Sequence, residues 1–245
     1  MKTWILYLTP LAVFAADQSP LQRLFDSKLS PTARATACFQ LRGSADPDVI
    51  SAMSRALEDP DLLSCAADNL RLAGAVEPLR VALSSPDAPV RAAAARELGS
   101  FQKVELLEPL ALAAGDVNAL VSSNALAGLS QYDDPAVIPY LAALAKKGGM
   151  TGDLALDRIS QLDPALALVI GRELLGSDQV PDKLYAMRVI GSLGSASDLA
   201  PLRRIASSGQ ETLAQRDRGF GFMPGINLAR AAQSAISSIE SRDLR

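Results

Sequence analysis

Two arginines and two phenylalanines lie close together near the end of the chain, and their types suit the binding of a partner. They are Arg216, Arg218, Phe220 and Phe222. A guanidinium group pairs with carboxylates and other anions, and an aromatic ring stacks on a partner surface. The same phenylalanines could instead fold back and cover the end of the last helix pair. Both interpretations of the segment 209–225 stay open, and they are compatible for different residues.

The glycines of this segment do not have the spacing of a phosphate-binding loop. Gly219, Gly221 and Gly225 form the pattern G-x-G-x-x-x-G before a predicted helix. The dinucleotide-binding fingerprint requires G-x-G-x-x-G after a strand, and neither the spacing nor the strand is present. We therefore expect no cofactor-binding site.

The chain contains no histidine, which removes the most common general base and metal ligand. Ser-His-Asp and Cys-His mechanisms are excluded, and two cysteines are too few for a four-cysteine zinc site. No D-x-D-x-D-G calcium loop occurs. Carboxylate pairs such as Asp133 and Asp134 lie in predicted turns, where they cap helices. The sequence therefore predicts no catalytic residues and no metal site.

The elements that must position these side chains come from an internal repeat. The clearest copy has PDAPVRAAAARELG at 86–99 and ELLEPLAL at 105–112, which predicts a helix after an acidic turn and then a shorter helix. Related stretches end at apolar residues spaced 26 to 33 residues apart, a period typical of helical solenoids. These residues are Leu41, Leu72, Leu98, Leu129, Leu162 and Leu193.

A single helix pair cannot bury its own apolar face, so the pairs must stack on one another. The sequence therefore predicts an all-α fold, a right-handed α-solenoid of about six helix pairs. A short leading helix covers one end, and a final helix from Ile226 to about Ser241 covers the other. The predicted repeats span 31–59, 60–85, 86–115, 116–149, 150–179 and 180–208.

The two cysteines are candidates for a disulfide bond between the first two repeats. When the repeats are aligned, Cys38 and Cys65 lie one helical turn apart on equivalent faces of neighbouring helices. An oxidising compartment would allow the bond, provided that the Cα atoms lie within about 7 Å. The alternative is a pair of small, unlinked core residues.

In these stretches the chain resembles the HEAT-repeat family, in its bacterial lyase-like subtype. The resemblance rests on residues 87–99 and their weaker relatives, and it covers about residues 31–208. It implies the fold but no catalytic residue, since none is shared across the family. Most members are scaffolds, and a minority act on chromophores or nucleic acid. An arginine at the position of Arg91 could recur in every repeat and form a ladder along the stack. This ladder is interrupted here, because among the aligned positions only Arg34 is also an arginine.

The first residues have the pattern of an export signal. An apolar run covers 4–14, and Val13 and Ala15 place small residues at the positions that precede a cleavage site. The run is too short for a permanent membrane anchor. The alternative is a buried N-terminal helix. We expect a signal peptide over 1–15, a mature α-solenoid domain over 16–245, and a periplasmic or secreted location.

Charge and fold together favour a protein partner. Acidic side chains are in excess over 16–199 and basic ones over 200–245, so the main body lacks the basic stripe that nucleic-acid binding needs. We expect a non-enzymatic scaffold or adaptor that binds a protein segment on its concave face, formed by the second helices. One alternative, by family analogy alone, is a lyase- or chaperone-like protein acting on a cofactor-bearing partner. Another is a purely structural envelope component.

Overall fold

The computed structural model describes residues 19–208, 211–212 and 226–243. This part of the chain is almost entirely helical. Two-residue strands β1 (Glu211–Thr212) and β2 (Ile226–Asn227) pair antiparallel. The helices are α1 (Pro20–Leu24), α2 (Pro31–Gln40), α3 (Pro47–Ala56), α4 (Leu63–Leu72), α5 (Val76–Ala82), α6 (Ala88–Gly99), α7 (Leu107–Ala113), α8 (Ala119–Leu129), α9 (Ile138–Lys146), α10 (Gly149–Leu162), α11 (Pro164–Leu174), α12 (Val180–Leu193), α13 (Leu199–Ser207) and α14 (Leu228–Asp243).

The helices follow one another as six pairs. Each pair joins a first helix to a second helix, beginning with α2 and α3 and ending with α12 and α13. Short 3-10 turns lead into three second helices, at 104–106, 135–137 and 196–198. Helix α1 precedes the pairs and α14 follows them. The prediction of an all-α solenoid built from six helix pairs is confirmed.

Local capping determines where many of these helices begin. Asp46, Asn118 and Asp163 each accept a hydrogen bond from a backbone N–H in the first turn that follows. Proline at the first helical position, as in α3 and α11, costs little because its missing N–H would lack a partner there. These contacts span at most a few residues, which explains why such helix starts can be predicted from short stretches of sequence. The final helix begins at Leu228, two residues after the predicted start, because Ile226 and Asn227 form β2.

The described chain divides into two compact units, one up to Pro78 and one from Leu79 onward. In the first unit, α2 packs on α1 and α4, and α3 packs on α4. Its core is formed by fully or almost fully buried apolar side chains from all four helices, among them Leu24, Met53, Leu62 and Leu70.

The second unit contains a close approach between two first helices. Helices α6 and α8 pack with Gly99 against Gly128, and a Cβ atom built on Gly99 would lie 2.4 Å from the Cα of Gly128. No real side chain fits at that distance. The two glycines therefore allow backbone-to-backbone contact between repeats three and four.

The second unit ends with α14 packed on both helices of repeat six. Met187 and Ile190 of α12, Leu202 of α13 and Ile239 of α14 share one buried cluster. Arg242, near the end of α14, donates a hydrogen bond of 2.8 Å to the carbonyl of Gly194. The final helix therefore covers the last helix pair, as predicted for a terminal cap.

Charged side chains connect each of several repeats to the acidic turn that follows. Arg91 Nε lies 2.8 Å from Asp116 Oδ2, and Arg34 pairs with Asp59 and Asp61 in the turn between the first two repeats. Arg34 and Arg91, which occupy equivalent positions in their repeats, therefore each bind the acidic turn that leads to the following repeat. Where the ladder is broken, Ser122 instead donates to the carbonyl of Ala114 at 2.7 Å.

A further pair, Arg172 with Asp198, gives the second unit a pH-dependent stability. The guanidinium, 2.7 Å away, and the backbone N–H of Ser195 hold the pKa of this buried carboxyl below its usual value. A lowered folded-state pKa stabilises the fold above the unfolded-state pKa near 4, and the contribution disappears as the pH falls through the folded-state pKa.

We therefore expect Asp198→Asn to lower the urea midpoint of unfolding at pH 7 and to have a much smaller effect near pH 2. The matched control is Asp178→Asn, at an exposed aspartate of the same unit, which should differ little from the wild type at either pH. An Asp198→Asn effect of equal size at both pH values would contradict this assignment.

Candidate functional site

The four side chains that the sequence selects for partner binding, Arg216, Arg218, Phe220 and Phe222, lie outside the described residues. Their role stays a prediction, as does the signal peptide at 1–15. The structure does show the two ends of the segment between the strands. Thr212 pairs with Ile226, so the residues on either side of 213–225 are neighbours in space, just before α14.

The two cysteines lie on neighbouring first helices of the first unit, Cys38 on α2 and Cys65 on α4. Their Cα atoms are 6.3 Å apart and their sulfurs are bonded at 2.06 Å. This separation is within the range that a disulfide requires. Cys38 is fully buried, whereas Cys65 is half-buried. Cys65 occupies the position that aligns with Arg34 and Arg91, so a covalent bond replaces an ion pair there.

A buried asparagine connects this disulfide to the turn after α2. Asn69 Nδ2 donates to the carbonyls of Cys38 and Cys65 at 3.2 and 3.1 Å, and its Oδ1 accepts from Gly43 N–H at 2.9 Å. Gly43 has a left-handed φ of 74°. Asn69 is 2% exposed, so the hydrogen-bonding groups of its side chain are satisfied inside the protein.

We expect Asn69→Ala to lower the free energy of unfolding of the first unit by about 1.5 kcal/mol, since it removes three hydrogen bonds made by one buried side chain. Asn124→Ala is the matched control, because Asn124 is less buried and makes one hydrogen bond, to the carbonyl of Ala92. Urea unfolding of both variants checks the prediction. Equal losses in the two variants would contradict the role given to Asn69.

Buried carboxyl groups of the second unit are engaged in structural contacts. Asp182 accepts from Gly149 N–H at 3.0 Å and from Ser177 Oγ at 2.8 Å, and Glu97 pairs with Arg96 at 2.7 Å. Among the described residues, no group of three metal-ligating side chains converges. None of the helices in the same ranges combines the length and apolar character needed to cross a membrane.

The structure shows a surface that the sequence analysis did not identify by residue. Four exposed apolar side chains lie on successive second helices, each two positions after a buried residue. We call them the apolar strip: Val81 of α5, Leu112 of α7, Ala143 of α9 and Val169 of α11. The exposed fractions of Val81, Leu112 and Val169 are 63%, 74% and 47%. Because the buried residues anchor each helix to the core, the strip side chains point to solvent.

Charged residues also lie on the second helices near the strip. On α7, Glu108 is exposed one turn before Leu112; on α13, Arg204 is exposed two residues after buried Leu202. Arg203 pairs with Glu240 at 2.9 Å, whereas Arg204 has no ion pair within the described ranges.

A separate cleft of about 460 Å³ lies between α12 and α14. Leu184, Met187 and Ala231 line it together with Arg188 and Arg242. Both arginines already have partners, since Arg188 pairs with Asp153 and Asp157 and Arg242 binds backbone carbonyls. The cleft therefore offers an apolar floor but no available charge.

The chain has distant likenesses to solved structures of other proteins. Among curated proteins, none matches this chain. One similar solved structure is that of human deoxyhypusine hydroxylase in complex with glycerol. Its sequence is 19% identical to this chain, the match covers 91% of this chain and 95% of that chain, and the TM-score is 0.39. A designed armadillo repeat protein in complex with the peptide (KR)4 is 16% identical, with 91% and 99% coverage and a TM-score of 0.39.

The family comparison locates the repeats on the chain. Residues 76–149, from the start of α5 to the first residue of α10, match the family of HEAT repeats. This confirms HEAT repeats in that part of the chain, which contains Val81, Leu112 and Ala143 of the apolar strip. Membership of the lyase-like subtype stays a prediction.

Proposed function

We propose that this protein is an exported, non-enzymatic scaffold that binds a segment of a protein partner on the solvent face of its second helices. The single observation that carries the proposal is the apolar strip. Isolated exposed apolar residues are ordinary on protein surfaces, but an apolar series at a repeated position indicates an interaction surface. Leu112, at 74% exposure, is the side chain with the most apolar surface to bury.

The polar chemistry supports binding rather than catalysis. The buried carboxyl groups described above are already hydrogen-bonded to backbone N–H groups, a hydroxyl or arginines. A catalytic group would need to face a substrate. The segment 209–225, with Arg216, Arg218, Phe220 and Phe222, would supply a second contact region, since arginine and aromatic residues dominate interface energetics.

Export has its own support and its own test. The apolar run at 4–14 has the pattern of a signal peptide, and a disulfide between Cys38 and Cys65 suits an oxidising compartment. Intact-mass measurement of protein recovered outside the cytoplasm should show a chain that begins at Ala16. Recovery of correctly folded protein there with Met1 retained would contradict export.

Site-specific photocrosslinking in the native compartment tests the binding face. A photoreactive amino acid at Leu112 should give a discrete protein adduct, because the partner covers that position. The matched control is the same amino acid at Ser123, which is exposed on first helix α8 of the same unit. Adducts that are absent at Leu112, or equal at the two positions, would contradict the proposal.

A further inference from the structure

The second unit carries an exposed apolar residue at the same position of four successive repeats. Each lies within two positions of the start of a first helix and twelve positions before the closing leucine of its repeat. We call them the apolar edge: Pro86, Val117, Met150 and Pro181. The exposed fractions of Val117 and Met150 are 101% and 68%. This series is separate from the apolar strip, whose residues lie on the second helices.

The helix starts that carry the apolar edge are neighbours in space. Helices α6, α8, α10 and α12 pack successively on one another. At the two middle turns, the hydroxyl oxygens of Ser122 and Thr151 lie 3.2 Å apart, and residues of both turns line one small cleft. Packed helices lie about 8–10 Å apart. Three such steps give the apolar edge a length of roughly 24–30 Å.

The apolar surface is widest at these two middle turns. Leu120, in the first turn of α8, and Leu154, one turn after Met150 on α10, are both exposed. Helical residues four positions apart share one face, so Leu154 extends the surface that Met150 begins. Contiguous exposed apolar side chains of this kind mark a contact with a protein or with a membrane.

Charged side chains beside the edge are partly engaged within the protein. Asp116, which directly precedes Val117, pairs with Arg91 at 2.8 Å. Lys146, near Met150, pairs with Glu173 at 3.1 Å. These pairs leave no net charge of their own, so the surface around the middle turns is dominated by its apolar side chains.

The remaining charges of the edge have both signs. Lys147 is exposed at a middle turn and has no ion pair among the residues that the structure describes, whereas Asp87 and Asp178 are exposed at the two outer turns. A zwitterionic lipid surface offers partners to both kinds, since its phosphate groups attract the ammonium group and its own ammonium groups attract the carboxylates. A strongly anionic surface would repel the outer turns.

The size and shape of the edge favour lipid over a folded partner. Stable protein interfaces bury about 800 Å² on each partner, whereas six side chains in a row expose a few hundred Å². A second copy of the chain would therefore be held weakly. Side chains that project from turns can instead insert between lipid headgroups, because a lipid surface needs no matching shape.

From these observations we infer that the protein binds a zwitterionic lipid surface through the apolar edge. Val117, Leu120, Met150 and Leu154 insert among the headgroups, and the chain lies on the membrane without spanning it. The inference does not depend on the proposed function, since the apolar strip is a different surface. Together the two surfaces would hold a protein partner at a membrane.

Vesicles of phosphatidylcholine and phosphatidylethanolamine test the inference by flotation with the full mature chain. We expect Val117→Ser with Met150→Ser to lower the partition coefficient about tenfold, because both inserted side chains become polar. The matched control, Phe39→Ser with Val104→Ser, changes two exposed apolar residues outside the edge and should float like the wild type. Added salt should change the wild-type partition less than about twofold, because net charge does not drive it.

A tryptophan reports whether the edge itself enters the lipid. Trp4, in the predicted signal peptide, is the single tryptophan of the sequence, so Met150→Trp supplies the only indole of the mature chain. We expect its fluorescence to shift to the blue and to be quenched by brominated lipid when vesicles are added. Val104→Trp is the matched control and should report water throughout.

Every other outcome overturns the inference. Absence of flotation, flotation that Val117→Ser with Met150→Ser leaves unchanged, or an unquenched indole at position 150 would each exclude insertion of the edge. Flotation that disappears in salt would show attraction between charges instead. Self-association of the wild type that the same double variant abolishes would show that a second copy covers the edge. Photocrosslinking at Leu112 tests the proposed function independently of these results.

Discussion

Replacing Gly99 with alanine is expected to lower the free energy of unfolding of the second unit by about 2 kcal/mol. The added Cβ would lie 2.4 Å from the Cα of Gly128. Both atoms belong to helices held by their own hydrogen bonds, so α6 and α8 must separate, and overpacking of a core typically costs about 1–3 kcal/mol. This exceeds the roughly 1 kcal/mol by which alanine is the better helix former.

The matched control is Gly171→Ala, also at a buried helical glycine of the second unit. Its Cβ would meet Val189 at 3.4 Å, an ordinary van der Waals distance. We expect that variant to remain within about 1 kcal/mol of the wild type, with urea denaturation as the measurement. If Gly99→Ala unfolds at the wild-type midpoint, the close approach of α6 and α8 is not a feature of the folded protein.

The second large effect is expected from loss of the disulfide. The bond closes a loop between residues 27 positions apart, and the chain-entropy relation gives a stabilisation of about 3.5 kcal/mol for a loop of that size. We therefore expect Cys38→Ala with Cys65→Ala to lower the free energy of unfolding of the first unit by about this amount. Thermal or urea unfolding measures the loss.

Reduction provides the control for this prediction. A reductant should destabilise the oxidised wild type by a similar amount and leave the double variant unchanged, because the variant has no bond to break. Mass mapping without reduction should recover Cys38 and Cys65 in one linked peptide pair. Two free thiols in exported protein would show that the bond does not form.

The helices could be predicted because their boundaries depend on short stretches of sequence. Asp46 before Pro47 and Asp163 before Pro164 define helix starts through contacts within a few residues. Packing between repeats was not predictable in this way. The sequence predicts that a helix ends at Gly99, and α6 does end there. The structural role of this glycine is its contact with Gly128, which lies one repeat further along the chain.

The candidate binding face was predictable only in outline. The sequence indicated the second helices, but not which side chains they expose. Residues 105–112 contain four leucines, and three of them are fully buried while Leu112 is mostly exposed. Aligning the second helices on Leu79, Leu110 and Leu141 would have revealed the strip. The role of Asn69 depends on residues from two repeats at once, so no local pattern indicates it.

The glycine contact between α6 and α8 also limits how this protein can evolve. Repeat arrays lengthen and shorten when a repeat is duplicated or lost. Here each of two neighbouring repeats supplies half of one contact, Gly99 from one and Gly128 from the other. A duplication or deletion that separates them would place a side chain against a surface shaped for bare backbone. Repeats three and four must therefore be inherited together, as a single unit of four helices.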